Sequence, residues 1–267
     1  MRCIKRILTL HLIITCLTVL GIEPLYAQFY IGPKAGARLS WFEYEDFDTE
    51  AYKKEPSFGY NVGVSTAFKV RKRIFLECDV LYSNQKKIVK GVIDQRLKNK
   101  ATYHYLNLPI LYKVDFSQSL WDRNFKWYMG AGPNINLWLG GKGSLKAVEL
   151  FEESIDKLNY EISFEEYPED PVLGLLYVPE ANRVQLGLIF SSGLKFEPAP
   201  GQTLNVELQF QWGHSVMANQ EALFGGVFAY QDDFRTKAHS VQLSVSYMFD
   251  IITKGKKEKR LYYEKLD

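Results

Sequence analysis

The chain has 267 residues with 33 basic and 31 acidic side chains, so its formal net charge of +2 gives no indication of a nucleic-acid partner. Its mean hydropathy is −0.20, and beyond the first 30 residues no apolar run is long enough for a transmembrane helix. Aromatic residues make up 15% of the chain, which is typical of strands and of membrane-interface girdles. If the protein crosses a membrane, it must do so as a closed β-barrel, because only a closed barrel lets every backbone N–H and C=O group of a strand form a hydrogen bond in lipid.

Residues 1–27 are predicted to be a signal peptide. Three basic residues among the first six precede an apolar stretch over 7–22, and a suitable cleavage site ends at Ala27. Its removal takes away three of the 33 basic and one of the 31 acidic residues, so 30 of each remain and the formal charge becomes zero. Cys78 is then the one cysteine left, which excludes an intrachain disulfide. The alternative is a single membrane anchor.

The rest of the chain contains eight segments with the period of a strand. In the clearest, over 102–116, every second residue from Leu106 to Phe116 is apolar and the intervening residues are more polar. Successive side chains of a strand point to opposite faces, so each segment presents an apolar and a polar row. The predicted strands are 30–41, 58–70, 74–83, 102–116, 125–139, 184–196, 204–212 and 241–249.

The connections between these strands alternate in length. The short ones are 71–73, 117–124 and 197–203, and the long ones are 42–57, 84–101, 140–183 and 213–240. This alternation is typical of outer-membrane barrels, in which the short turns are periplasmic. We therefore predict an all-β fold, an eight-stranded antiparallel up-and-down transmembrane β-barrel over 28–250 with long extracellular loops, located in the cell outer membrane. A basic periplasmic tail over 251–267 follows it.

A soluble lipocalin-like barrel or a sandwich is the alternative, and it would place the apolar row inside. Glycines on the polar row favour a narrow lumen instead. These glycines are Gly32, Gly36, Gly59, Gly63, Gly130, Gly132, Gly187 and Gly193.

Several charged residues also fall on the polar row, and an eight-stranded lumen is filled by side chains rather than open. Buried charges without partners are costly, so we expect these to pair as a structural cluster. Glu77 and Lys113 stand at similar heights on neighbouring strands and are predicted to bond. The predicted cluster is Lys34, Arg38, Glu77, Asp79, Lys113 and Glu207, with Asp115 and Lys195 on the same row. A proton or ion path is the functional alternative.

The longest predicted loop is strongly acidic. Val148, Phe151, Ile155 and Leu158 have helical spacing within it, which predicts a short amphipathic helix that caps the barrel or contacts a partner. A solvated loop that packs on itself is the alternative.

No catalytic, cofactor-binding or metal-binding set is predicted, and the protein is not expected to be an enzyme. The histidines of the mature chain are scattered, and a glycine-rich stretch at 140–143 lacks the spacing of a phosphate loop. One enzymatic alternative is an outer-membrane lipid hydrolase that uses His214-Ser215 or His239-Ser240 near the rim. Adjacent positions on a strand face opposite ways, which disfavours either dyad.

Two stretches carry a resemblance to a known family. LNLPILYKVDF (106–116) and WYMGAGPNINLWLGG (127–141) resemble strands of the PorT-like outer-membrane β-barrel family of Bacteroidota, as do GPKAGARLS (32–40) and LECDVLYSNQKK (76–87). The resemblance implies an outer-membrane barrel with a structural or partner-binding role. Because a few members act in type IX protein secretion, it also implies a secretion component as an alternative. The expected partners are outer-membrane lipid and an outer-membrane or periplasmic protein.

Overall fold

The computed structural model describes residues 28–44, 50–120 and 123–251, so the predicted signal peptide and nearly all of the predicted tail lie outside the described residues. The described part is mostly strand. Its elements are β1 (Phe29–Tyr44), β2 (Tyr52–Glu55), β3 (Ser57–Arg71), β4 (Ile74–Gly91), β5 (Lys98–Leu120), β6 (Arg123–Lys146), α1 (Val148–Glu152), β7 (Leu158–Ser163), β8 (Leu175–Tyr177), β9 (Val184–Phe196), β10 (Gln202–Gly213), β11 (Ala222–Phe224), β12 (Val227–Asp232) and β13 (Thr236–Asp250). Within these ranges no helix has the length and apolar character needed to cross a membrane.

Eight of the strands close into a ring. The order around it is β1, β3, β4, β5, β6, β9, β10, β13 and back to β1, and each of these pairings is antiparallel. Closure is made by β1 and β13, where Ala35 stands opposite Val245. Each of the eight predicted strands overlaps one strand of this ring.

The two rows of each strand face opposite sides of the wall. Val62, Phe190 and Leu243 project outward and are about half exposed, at 49%, 51% and 56%. Asn61 and Gln242, on the alternate row, are buried in the lumen. A soluble barrel would show the reverse arrangement, so the lipocalin-like alternative is wrong.

Aromatic pairs mark both ends of the outward apolar band. At the short-turn end the rings of Phe116 and Trp127 stack with centroids 4.5 Å apart. At the other end the rings of Trp41 and Phe210 lie 6.3 Å apart. Such girdles are where a membrane barrel meets the two lipid headgroup layers.

The strands continue well beyond the upper girdle. β5 and β6 have 23 and 24 residues, whereas about 9–11 residues suffice to span a bilayer. The prediction that 84–101 and 140–146 are loop is therefore wrong for most of these residues, which lengthen β4, β5 and β6. Short strands β2, β7, β8, β11 and β12 join the same sheet.

Above the lumen the long connections fold into an apolar core, which we call the cap. Trp138 lies at its centre, fully buried, with its ring centroid 4.9 Å from Phe164, 5.6 Å from Tyr103 and 5.7 Å from Phe234. The buried residues of the cap include Phe42, Leu97, Tyr105, Leu145, Leu150, Leu158, Tyr160, Leu176, Val178, Met217, Phe224 and Tyr230. These connections are therefore packed, not open loops.

The helix predicted in the acidic segment is shorter than expected. α1 ends at Glu152, so Ile155 lies beyond it and Leu158 begins β7. Leu158 is buried and Ile155 packs against the cap core, whereas Val148 and Phe151 are exposed. The prediction of one apolar helical face is thus wrong, because Ser154 adopts a positive φ of 63° and turns the chain back toward the sheet.

Candidate functional site

The lumen contains a buried network of five charged side chains. Lys34 Nζ lies 3.1 Å from Glu77, 2.7 Å from Asp79 and 2.7 Å from Glu207. Lys113 Nζ lies 2.7 Å from Glu77 and also pairs with Glu207. The predicted bond between Glu77 and Lys113 is therefore present. Three carboxylates surround two lysines, so each lysine neutralises more than one partner.

Glycines leave the space that these long side chains occupy. An added Cβ at Gly130 would lie 2.6 Å from Cγ of Lys113, and one at Gly193 would lie 2.5 Å from the hydroxyl of Tyr128. Tyr128 in turn places its ring 4.7 Å from Lys113 Nζ. Gly130 and Gly193 on the polar row therefore make room for Lys113 and Tyr128 inside the lumen.

Arg38 lies in the lumen but outside this network. Its guanidinium donates to Gln242 and Gln211, each at 3.1 Å, and to Ser83 at 3.4 Å. Among the described residues Arg38 forms no ion pair, contrary to expectation, because the side chains it contacts are neutral amides and a hydroxyl. Asp115 and Lys195 form a separate pair at 2.5 Å.

A second buried charge pair connects the cap to the barrel wall. Lys87 Nζ, on the inward row of β4, lies 2.7 Å from Asp232 at the end of β12. Asp232 also accepts a hydrogen bond from Asn99 at 2.9 Å, and Asn99 accepts one from Tyr160 at 2.7 Å. Burial, together with the charge of Asp232, raises the pKa of Tyr230 well above its usual value, so its phenol stays neutral beside the carboxylate.

The outer surface of the cap carries a patch of large exposed apolar side chains, which we call the crown. Phe151 and Phe228 are 55% and 73% exposed. The backbone N–H of Phe228 donates to the Glu149 carboxylate of α1 at 3.0 Å, which holds β12 next to the helix. Leu173 lies beside Gly226, two residues before Phe228. The crown comprises Val148, Phe151, Val172, Leu173 and Phe228.

The segment that carries most of the crown is mainly acidic, although the guanidinium of Arg96 lies 4.8 Å from the ring centroid of Phe151. Residues 145–182 carry ten acidic and two basic side chains. All the acidic ones except Glu149 are exposed. An apolar patch with an acidic border is suited to contact with another protein, whereas an anionic lipid surface would be repelled.

The rim residues considered for hydrolysis do not form a dyad. His239 Nε2 lies 2.8 Å from a carboxylate oxygen of Glu43, and its hydrogen bonds in the described chain include no serine. Ser215 Oγ accepts a backbone N–H at 3.0 Å, and no hydrogen bond joins it to His214 within these ranges. In the part of the chain that the structure describes, no three potential ligands gather as a metal site.

Val148 and Phe151 of the crown were predicted from the sequence, whereas Val172, Leu173 and Phe228 were not. Lys87 and Asp232 were not predicted either. The crown joins segments far apart in the chain, so no local spacing marks it. The one signal for the Lys87 pair is that Lys87 continues the alternate, inward-facing row of β4. It lies in 84–101, which was predicted to be a loop, so this signal was not used.

Comparison with known proteins agrees with this architecture. The family model described as outer membrane protein beta-barrel domain matches residues 23–216. The outer membrane protein OprG from Pseudomonas aeruginosa has a similar fold, with a TM-score of 0.50 and 11% identity over 83% of this chain and 95% of that one. Neisserial surface protein A matches with a TM-score of 0.41 and 11% identity over 84% of this chain and 99% of that one. A search of curated protein sequences gave no significant match.

The fold, the outward apolar band and the family match agree on location, and the protein is in the cell outer membrane. With 194 of its 267 residues matched by the family model, the chain belongs to the outer membrane protein beta-barrel domain family.

Proposed function

We propose that the protein is an up-and-down eight-stranded transmembrane barrel without an open pore, which presents its cap outside the cell to bind a partner protein. The short turns at one end and the long connections at the other support this orientation, because outer-membrane barrels keep their short turns in the periplasm. The protein acts as a scaffold in this proposal and catalyses no reaction.

The observation that carries the proposal is the filling of the lumen and its upper end. The ion-pair network around Lys34 occupies the lower lumen, amides around Arg38 occupy the middle, and the cap core covers the top. A transport function would need a path through all three layers. The chain instead builds an apolar core above the membrane, which displays the crown on a rigid support.

The crown indicates the kind of partner. Its aromatic side chains favour a protein surface, and its acidic border favours basic groups on that surface. A second copy of the same crown would bring two acidic borders together and is disfavoured. A PorT-like identity and a part in type IX secretion are finer versions of this proposal, supported by the strand motifs at 106–116 and 127–141.

The test is site-specific photocrosslinking in living cells. A photoreactive phenylalanine analogue in place of Phe151 or Phe228 is expected to yield a discrete protein adduct, since both side chains are exposed on the crown. The same analogue in place of Phe190, which faces the membrane, is the matched control and is expected to yield none. Absence of an adduct at both crown positions would count against partner binding there.

A further inference from the structure

Seven lysines share one outward face of the sheet, on the strand extensions above the upper aromatic girdle. They lie on β2, β4, β5 and β6, which pair side by side. We call this surface the lysine face. It comprises Lys53, Lys86, Lys90, Lys98, Lys100, Lys142 and Lys146.

Four of these lysines stand directly opposite one another in a single row across the strands. Lys53 pairs with Lys90, Lys90 with Lys98, and Lys98 with Lys146. Like charges in directly opposed positions destabilise a sheet, because their side chains share one face at close range. A bound anion would reduce the repulsion within these three successive lysine pairs.

Few carboxylates oppose this charge. Glu55 lies 2.7 Å from Lys90, and Glu161 stands opposite Lys142 on β7. Among the described residues Lys90 is the one lysine of the face with an ion pair. The pKa of Glu55 is lowered, mainly by its hydrogen bond from Lys90 and further by the charges of Lys53 and Lys98. The face therefore keeps a positive surplus.

The height and direction of the lysine face identify its neighbour. Lys86 and Lys90 follow Tyr82, the last aromatic residue on the lipid-facing row of β4, by roughly 13 and 26 Å along the strand, at about 3.3 Å per residue. The face points sideways from the barrel wall, as the lipid-facing row does below it. The molecules beside a barrel at that level of the outer leaflet are lipopolysaccharides, whose sugars carry phosphate groups.

We propose that the lysine face binds the phosphorylated headgroup of lipopolysaccharide. Ammonium groups bind phosphate as compact point charges, and a row of four spans several phosphates at once. This inference rests on the orientation proposed above, since the face reaches lipopolysaccharide only if the cap is extracellular.

The test uses the purified full-length barrel in detergent. It measures the midpoint temperature, at which half of the protein has lost its folded form. Lipopolysaccharide is expected to raise this midpoint for the wild type, less so at high salt, and dephosphorylated lipopolysaccharide is expected to have no effect. In Lys98→Gln/Lys146→Gln the shift should fall by at least half. The ligand-free midpoint should stay equal or rise, because like-charge repulsion is removed. This combination separates lost binding from structural damage.

Lys69→Gln/Lys126→Gln, with two lysines changed at the short-turn end, is the matched control and should keep the full shift. A full shift in Lys98→Gln/Lys146→Gln, or with dephosphorylated lipopolysaccharide, would overturn the proposal. So would stabilisation by a soluble sulfated polysaccharide but not by lipopolysaccharide. Labelling of the Ser144→Cys variant on intact cells with an impermeant maleimide tests the orientation separately. If that variant stays unlabelled, the proposed function is refuted even if purified protein binds the lipid.

Discussion

Replacing Lys34 by methionine is expected to lower the free energy of unfolding of the barrel by about 3–5 kcal/mol, because it leaves buried carboxylates without their cation. Methionine keeps much of the length of the side chain, so the loss is chiefly one of charge. Asp79 is affected most, since among the described residues Lys34 provides its ion pair. Glu77 and Glu207 retain Lys113. Reversible urea unfolding in micelles or lipid vesicles measures the difference.

Three further variants make this prediction specific. Lys113→Met should lower the free energy of unfolding less than Lys34→Met, because the carboxylates that Lys113 contacts still pair with Lys34. Asp79→Asn added to Lys34→Met should restore part of the loss, since it removes the charge left unpaired. Lys126→Met, which breaks an exposed pair with Glu197, should change stability by less than about 1 kcal/mol. Equal losses for all three lysines would show that the network contributes nothing beyond an ordinary surface pair.

The transmembrane part of the fold could be predicted from the sequence because lipid imposes a strict rule on it. Every second side chain must be apolar on the outside of the barrel, and this rule applies to each strand separately. Glu77 and Lys113 could be paired by counting along neighbouring strands for the same reason. Arg38 could not be assigned correctly, because neutral amides such as Gln242 replace the expected carboxylate and the pattern does not distinguish them.

The upper part of the strands could not be predicted because the two rows exchange their character there. Below the girdle the outward row is apolar and the inward row polar. Above it, Lys86 and Lys100 point outward, while Val89 and Tyr103 on the alternate row are buried. The period of two persists, but its phase inverts where lipid ends and water begins. A prediction that follows one apolar row therefore ends each strand at the girdle, and the residues above it are taken for loop.

Because of this inversion, the cap has an apolar core of its own that does not depend on the membrane. Trp138→Ala is expected to destabilise the cap by about 3–5 kcal/mol, the typical cost of deleting a large buried aromatic side chain. Trp138 packs against aromatic rings from three other segments, with centroids 4.9–5.7 Å away, so its loss weakens contacts among all of them. Proteolysis of intact cells at the glutamates of 145–182 measures the loosening.

The Trp138→Ala variant also distinguishes the two layers that close the barrel, the cap and the ion-pair network in the lumen. Trp127→Ala, which removes a girdle ring stacked on Phe116, is the matched control and should leave cap proteolysis unchanged. Trp138→Ala should keep its heat-modifiable folded form and should not conduct ions in planar bilayers, because Lys34, Lys113 and their carboxylates still fill the lumen. Conductance is expected only when the network is also disrupted, as in Trp138→Ala with Lys34→Met. A conducting Trp138→Ala barrel would mean that the cap alone closes the path, and the lumen network would then be a filter within a gated pore.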